Sequence, residues 1–165
     1  MKKLFLSAVA LIAFGAASAQ DGGFKAGVNF GLPMGVAGDI YSFSAGVDAA
    51  YMWNVADKFD VGATTGYAYF SGKSIDLGIL GSLKVNGGFI PVAATAQYAV
   101  SDNLFLGADL GYAVYAGSGS GDGGLYYQPK FGYQTDKYEV YAGYKGISVT
   151  GGSISTVGLG FNYKF

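Results

Sequence analysis

The sequence predicts an all-β protein, an eight-stranded antiparallel up-and-down β-barrel that spans a membrane and follows a cleaved signal peptide. Three observations predict this fold. Apolar and polar residues alternate with a period of two along most of the chain, short and long connections alternate between these stretches, and every charge within them falls on one face. Period-two alternation is typical of strands whose two faces meet different surroundings.

Residues 1–19 are expected to be a signal peptide, and residues 20–165 a single barrel domain. Lys2 and Lys3 precede an apolar run of 11 residues, and Ala17-Ser18-Ala19 precedes the expected cleavage site. This is the pattern of a secretory signal. A membrane anchor is the alternative. A helix of 11 residues, rising about 1.5 Å per residue, is however too short to cross a hydrocarbon core about 30 Å thick. The chain is therefore expected to be exported.

Eight stretches carry the period-two pattern, and each is close to the roughly 9–11 residues that a tilted strand needs to cross a bilayer. They are residues 24–32, 43–53, 59–70, 90–99, 104–115, 125–134, 138–145 and 156–165. Short connections at 54–58, 100–103 and 135–137 alternate with long ones at 33–42, 71–89, 116–124 and 146–155. Short periplasmic turns and long outer loops are typical of outer-membrane barrels, so both termini are expected in the periplasm.

The two faces of the strands differ in charge. One face holds large aromatic and aliphatic side chains, and the other holds most strand glycines together with four acids and four lysines. The charged side chains are Lys25, Asp48, Asp60, Asp109, Lys130, Glu139, Lys145 and Lys164. The interior of an eight-stranded barrel is only just wide enough for side chains to fill, so the bulky face is expected outside, against lipid. Equal numbers of both signs predict an ion-pair network in the lumen.

Aromatic residues collect at the short-turn ends of the strands, where amphipathic rings meet a membrane interface. We expect this role for Tyr51, Trp53, Tyr98, Tyr133, Tyr138 and Tyr163. A general preference of tyrosine for strands is the alternative explanation. Pro91 and Pro129 each remove a ladder hydrogen bond, so a bulge or the start of a strand is expected at each.

Three segments resemble the small outer-membrane β-barrel (porin-like) family common in Bacteroidetes, which is related in architecture to OmpX and the OmpA membrane domain. They are Lys25-Ala-Gly-Val-Asn-Phe30-Gly, Phe89-Ile-Pro-Val-Ala93 running to Gln97-Tyr98, and Gly158-Leu-Gly-Phe-Asn-Tyr-Lys-Phe165. The resemblance covers residues 24–165. It implies an outer-membrane location, a structural or porin-like role, and a C-terminal Phe165 that barrel-assembly machinery recognises.

The composition argues against catalysis and against nucleic-acid binding. The chain has no cysteine and no histidine, so Ser-His catalysis and the usual zinc ligands are both lacking. Neither a cofactor nor a metal is expected, and the lumen carboxylates are interpreted as ion-pair partners rather than as an acid and a base. Basic residues are not clustered, which argues against nucleic acid. The expected partners are outer-membrane lipid, lipopolysaccharide and assembly machinery, with the protein itself monomeric.

Three functional hypotheses follow from the predicted fold. The favoured one is a barrel with a largely plugged polar lumen and a structural, envelope-stabilising or surface-contact role. A narrow passive channel for small solutes is the alternative, and a soluble lipocalin-like binding barrel is a third. The unusually apolar loop 71–89 either extends its hairpin above the membrane or forms a contact surface.

Overall fold

The computed structural model describes residues 22–76, 82–84, 86–117 and 121–165. The expected signal peptide lies outside these residues. The elements in chain order are β1 (Gly22–Met34), α1 (Val36–Ile40), β2 (Tyr41–Ala56), β3 (Phe59–Gly72), β4 (Ser74–Asp76), β5 (Ser82–Lys84), β6 (Gly87–Ala99), β7 (Leu104–Tyr115), β8 (Gly124–Gln134), β9 (Tyr138–Val149) and β10 (Gly152–Lys164).

Eight of these strands form a closed antiparallel barrel in the order β1-β10-β9-β8-β7-β6-β3-β2. Each strand pairs with its neighbour in the chain, except that β4 and β5 form a separate hairpin between β3 and β6. The first and last strands close the ring, from Lys25 opposite Lys164 to Met34 opposite Ser155. The predicted eight-stranded up-and-down barrel is confirmed.

The long connections are more ordered than the sequence predicted. Residues 146–155 were predicted to be a loop, but β9 and β10 continue through them to a two-residue turn at Thr150 and Gly151. Gly151 has a φ of 88°, a conformation that suits glycine. The first connection contains α1, and the second contains the separate β4–β5 hairpin. Residues 77–81 at its tip lie outside the described part.

The expected effects of the two prolines were wrong. Pro91 and Pro129 both lie inside strands, opposite Ala113 and Ala108, with no shift of register. On the other side of each proline, two positions of the ladder are unpaired. Between β3 and β6 the gap lies between the pairs Thr65–Val92 and Ala68–Phe89. An equivalent gap lies beside Pro129 between β8 and β9. Since proline has no N–H, the ladder opens on one side of the strand and continues in register beyond it.

The charged and the large apolar residues of the barrel wall lie on opposite faces and differ in exposure. The eight charged residues of the barrel strands are buried or half-buried, whereas large apolar side chains on the opposite faces are exposed, with Phe30 at 63% and Leu159 at 64%. Within the described residues, no helix is long and apolar enough to cross a membrane. The predicted assignment of the two faces is confirmed.

Glycines on the inward face allow neighbouring strands and lumen side chains to approach one another. At Gly27 and Gly158, on the seam between β1 and β10, an added Cβ would overlap the carbonyl oxygens of Phe161 and Phe30. At Gly66 it would crowd the Asp48 carboxylate. The glycines therefore leave the lumen volume to the longer polar side chains.

The lumen is not polar along its whole length, contrary to the sequence prediction. At the long-loop end, inward-facing apolar side chains form a buried cluster, here called the apolar cap. Its members are Ala68, Phe70, Phe89, Ala93, Ala113, Tyr126 and Ile147, with Tyr41, Tyr115, Val149 and Ile154 packed against them. Phe70 has no exposed surface and its ring centroid lies 5.8 Å from that of Phe89. The cap closes this end of the barrel.

Candidate functional site

A cluster centred on Glu139 occupies the short-turn end of the lumen. Glu139 is the second residue of β9 and is 1% exposed. Its carboxylate accepts hydrogen bonds from Lys25 Nζ at 2.9 and 3.1 Å, and Lys164 Nζ lies 3.4 Å away. The amides of Gln97 and Asn162 each donate to it at 3.1 Å. Because donors from three other strands occupy both oxygens, this carboxylate joins β9 to β1, β6 and β10 across the bore.

Two further arrangements hold the charges of the middle lumen. Lys130 Nζ lies 2.8 Å from both oxygens of Asp109, which forms a direct buried ion pair between β7 and β8. Lys145 and Asp48 are joined through an amide instead. Lys145 Nζ donates to Asn29 Oδ1 at 3.0 Å, and Asn29 Nδ2 donates to the Asp48 carboxylate, which also accepts from the Tyr141 hydroxyl.

The structure places seven of the eight predicted charges in these two layers, but Asp60 lies elsewhere. Asp60 is half-buried at the short-turn rim, where it accepts a hydrogen bond from Asn54 at 2.9 Å. No lysine lies within ion-pair distance of Asp60 among the described residues. Asp60 is the second residue of β3, and its position at the rim shows that equal numbers of the two charges do not ensure an ion pair for each.

Three neutral polar residues that the sequence interpretation overlooked join the seven charges in the network. Asn29, Gln97 and Asn162 lie on the same inward face as the charges, and all three are buried. Their amides both donate and accept, which lets one side chain link an ammonium to a carboxylate. Their position in the period-two pattern was the signal that could have identified them.

Little open space remains inside the barrel. The middle of the lumen contains two voids of about 10 Å³ each, one beside Asp109 and Lys130 and the other beside Ser44 and Lys145. Such a void holds at most about one water molecule. A cleft of about 160 Å³ opens at the short-turn end, between Lys25, Lys164 and Asp60. Within the described residues, no group of three or more acidic side chains is arranged to hold a metal ion.

Comparison with solved structures identifies the same fold in membrane barrels. A de novo designed transmembrane β-barrel is 13% identical, with a TM-score of 0.54 over 89% of this chain and 98% of its own. The attachment invasion locus protein Ail of Yersinia pestis is also 13% identical, with a TM-score of 0.54 over 88% of this chain and 98% of its own. Ail in a phospholipid bilayer nanodisc gives 14% identity and a TM-score of 0.51, over 86% of this chain and 99% of its own.

These similarities concern the fold. No family model matches the chain, and no curated protein matches it in sequence. The chain is therefore similar to small eight-stranded transmembrane barrels in architecture, while its lumen contacts have to be interpreted from its own residues.

The predicted interface aromatics form a belt around the short-turn end of the barrel. Tyr138 lies opposite Tyr163, and Tyr98 lies opposite Phe59. The rings of Tyr51 and Trp53 are 5.0 Å apart. Trp53 is exposed, whereas Tyr51 is half-buried and its hydroxyl is buried without a hydrogen-bond partner among the described residues. Tyr133, the remaining member, is exposed, as is Tyr98. This belt borders the exposed apolar wall on one side, where a membrane interface requires amphipathic rings.

The C-terminal residue lies at the seam that closes the barrel. Phe165 donates its backbone N–H to the carbonyl oxygen of Phe24 at 2.9 Å, while its side chain is 76% exposed. Its ring contacts Phe24 and Tyr163, with centroids 5.5 and 5.0 Å away. The backbone thus completes the β1–β10 pairing and leaves the aromatic ring available on the outside.

Proposed function

We propose that the chain is an integral outer-membrane β-barrel with a closed lumen, whose role is structural or one of surface contact rather than transport. The observation that carries this proposal is the inverted polarity of the barrel, with charges in the bore and exposed apolar side chains around the wall. A soluble protein rarely exposes an apolar patch larger than a few hundred Å². Lipid, by contrast, is a favourable solvent for such a wall.

The packing of the lumen favours a closed barrel over a narrow channel. The apolar cap fills the long-loop end, the middle holds voids of about 10 Å³, and a cleft opens at the short-turn end. An ion that entered from the cleft would meet the Glu139 cluster, whose groups already bind one another. Moving past it requires breaking buried ion pairs, which is costly.

The other elements of the proposal rest on the same geometry. Both ends of the barrel chain lie at the short-turn end, which we place in the periplasm. The exposed ring of Phe165 suits recognition by barrel-assembly machinery, and the wall suits contact with outer-membrane lipid and lipopolysaccharide. We propose a monomer without enzymatic activity, since the carboxylates of Glu139, Asp109 and Asp48 accept hydrogen bonds from ammonium, amide or hydroxyl donors rather than standing free as bases.

Planar-bilayer recording tests the closed lumen. Purified protein inserted into a phosphatidylcholine bilayer should give a baseline without resolvable conductance steps, because the apolar cap and the buried ion pairs lie across the bore. Detergent without protein is the blank, and an established open porin shows that insertion and recording work. Steps of one reproducible size at every insertion would contradict the closed lumen and favour the channel.

A further inference from the structure

A groove lies on the outside of the barrel at the long-loop end, between the start of α1 and the β9–β10 hairpin. We call it the rim groove. It has a volume of about 420 Å³, and Met34, Val36, Tyr144, Ser153 and Ser155 line it. This volume falls in the range of about 300–1,000 Å³ that is typical of small-ligand sites.

The rim groove continues the apolar wall rather than the lumen. Met34 follows Phe30 and Leu32 on the outward face of β1, and all three are exposed. On the other side of the groove, Tyr144 lies opposite Val157, which also faces outward. A molecule that binds in the rim groove therefore enters it from outside the barrel and not from the lumen.

The chemistry of the rim groove favours an uncharged, apolar occupant. Val36 is 72% exposed, and none of the lining residues is charged. The Tyr144 hydroxyl and the Ser155 hydroxyl are hydrogen-bonded to each other at 2.8 Å. Because the Tyr144 hydroxyl donates to the Ser155 oxygen, the tyrosine donor stays paired when an apolar chain occupies the groove. No lining residue offers a positive charge to a phosphate.

Glycines give the rim groove its open shape. A Cβ built on Gly35, Gly151 or Gly152 meets nothing within 4 Å. Gly35 and Gly151 have φ angles of 58° and 88°, in the left-handed region where glycine is favoured. The turns on both sides of the groove therefore bend sharply and project no side chain into it.

We propose that the rim groove binds one acyl chain of a bilayer lipid at the leaflet nearest the long loops. This inference rests on the proposed membrane location and adds a defined lipid site to it. The groove extends the lipid-facing wall above the strands, and the bound chain covers Met34 and Val36, which are otherwise exposed.

Native mass spectrometry tests the proposal with two matched glycine variants. The full chain is reconstituted in dioleoyl-phosphatidylcholine vesicles, recovered by flotation, and extracted into mild detergent. Gly152→Leu fills the groove, whereas Gly23→Leu adds the same side chain at the short-turn end, where a Cβ also meets nothing within 4 Å. The unchanged chain and Gly23→Leu should each retain one phosphatidylcholine. Gly152→Leu should retain roughly tenfold less, which corresponds to about 1.4 kcal/mol.

The possible failures are distinguishable. If the unchanged chain floats with the vesicles but retains no lipid, or if folded Gly152→Leu retains as much as Gly23→Leu, the groove proposal is wrong and the membrane location stands. If the folded chain does not float, both proposals are wrong. A lipid-free dimer that Gly152→Leu abolishes would assign the groove to a second copy of the chain. Mobility of unboiled samples on gels checks that each variant is folded.

Discussion

Glu139→Ala should destabilise the barrel by about 3 to 5 kcal/mol, the usual cost of removing one partner from a buried ion pair. The substitution leaves the buried ammonium of Lys25 without its counter-charge and removes the acceptor that Gln97 and Asn162 share. Because these residues belong to three other strands, the loss should appear as one cooperative shift. The measurement is the urea midpoint of unfolding in phosphatidylcholine vesicles.

Two variants show whether charge is the cause. Asp60→Ala removes a half-buried carboxylate whose hydrogen-bond partner among the described residues is the side chain of Asn54, and it should cost no more than about 1 kcal/mol. Lys25→Met combined with Glu139→Leu removes both buried charges and should recover much of the stability, since apolar replacements of buried pairs are often well tolerated. Equal losses from Glu139→Ala and Asp60→Ala would contradict the central position assigned to Glu139.

Phe70→Ala should also cost about 3 to 5 kcal/mol, because it leaves a cavity in the apolar cap. Phe70 is completely buried, and its ring lies 5.4 Å from that of Tyr41 and 5.8 Å from that of Phe89. Strands surround the site on all sides, so neighbouring side chains can fill the space only in part. The same urea titration measures the loss.

Phe30→Ala is the matched control for the cap. It deletes the same side chain from the outward face, where acyl chains can occupy the space that the ring leaves. Its cost should therefore be clearly smaller than that of Phe70→Ala. If the two substitutions cost the same, or if Phe30→Ala costs more, the cap is not the apolar core of this barrel.

The period-two pattern was sufficient to predict the fold because each residue of a strand must point to one of two faces. Every strand charge fell on one of them, so the positions of Lys25 and Glu139 inside the barrel followed from the sequence alone. The same rule places Phe70 inside, ten residues after Asp60 on the same strand. The apolar cap was not predicted because the inward face was interpreted from its charges alone, although aromatic residues lie on the same face.

Other features depend on distances that a sequence pattern does not contain. Asp60 and Lys164 both face inward, yet the tilt and order of the strands leave Asp60 with Asn54 as its hydrogen-bond partner. The composition of residues 146–155 suggested a loop, but serine, glycine and threonine also pair well when β9 and β10 continue beyond the wall. The prolines failed as markers of a bulge because an unpaired ladder position can be tolerated without a change of register.

Labelling of single cysteines tests most directly whether lipid covers the apolar wall. The chain has no cysteine of its own, so Leu159→Cys on the outward face of β10 and Asp102→Cys in the turn before β7 each create a unique thiol at an exposed position. In folded protein in phosphatidylcholine vesicles, a membrane-impermeant maleimide should react with the thiol at position 102 and leave that at position 159 unmodified. Equally fast reaction at both positions would mean that water, not lipid, surrounds the barrel.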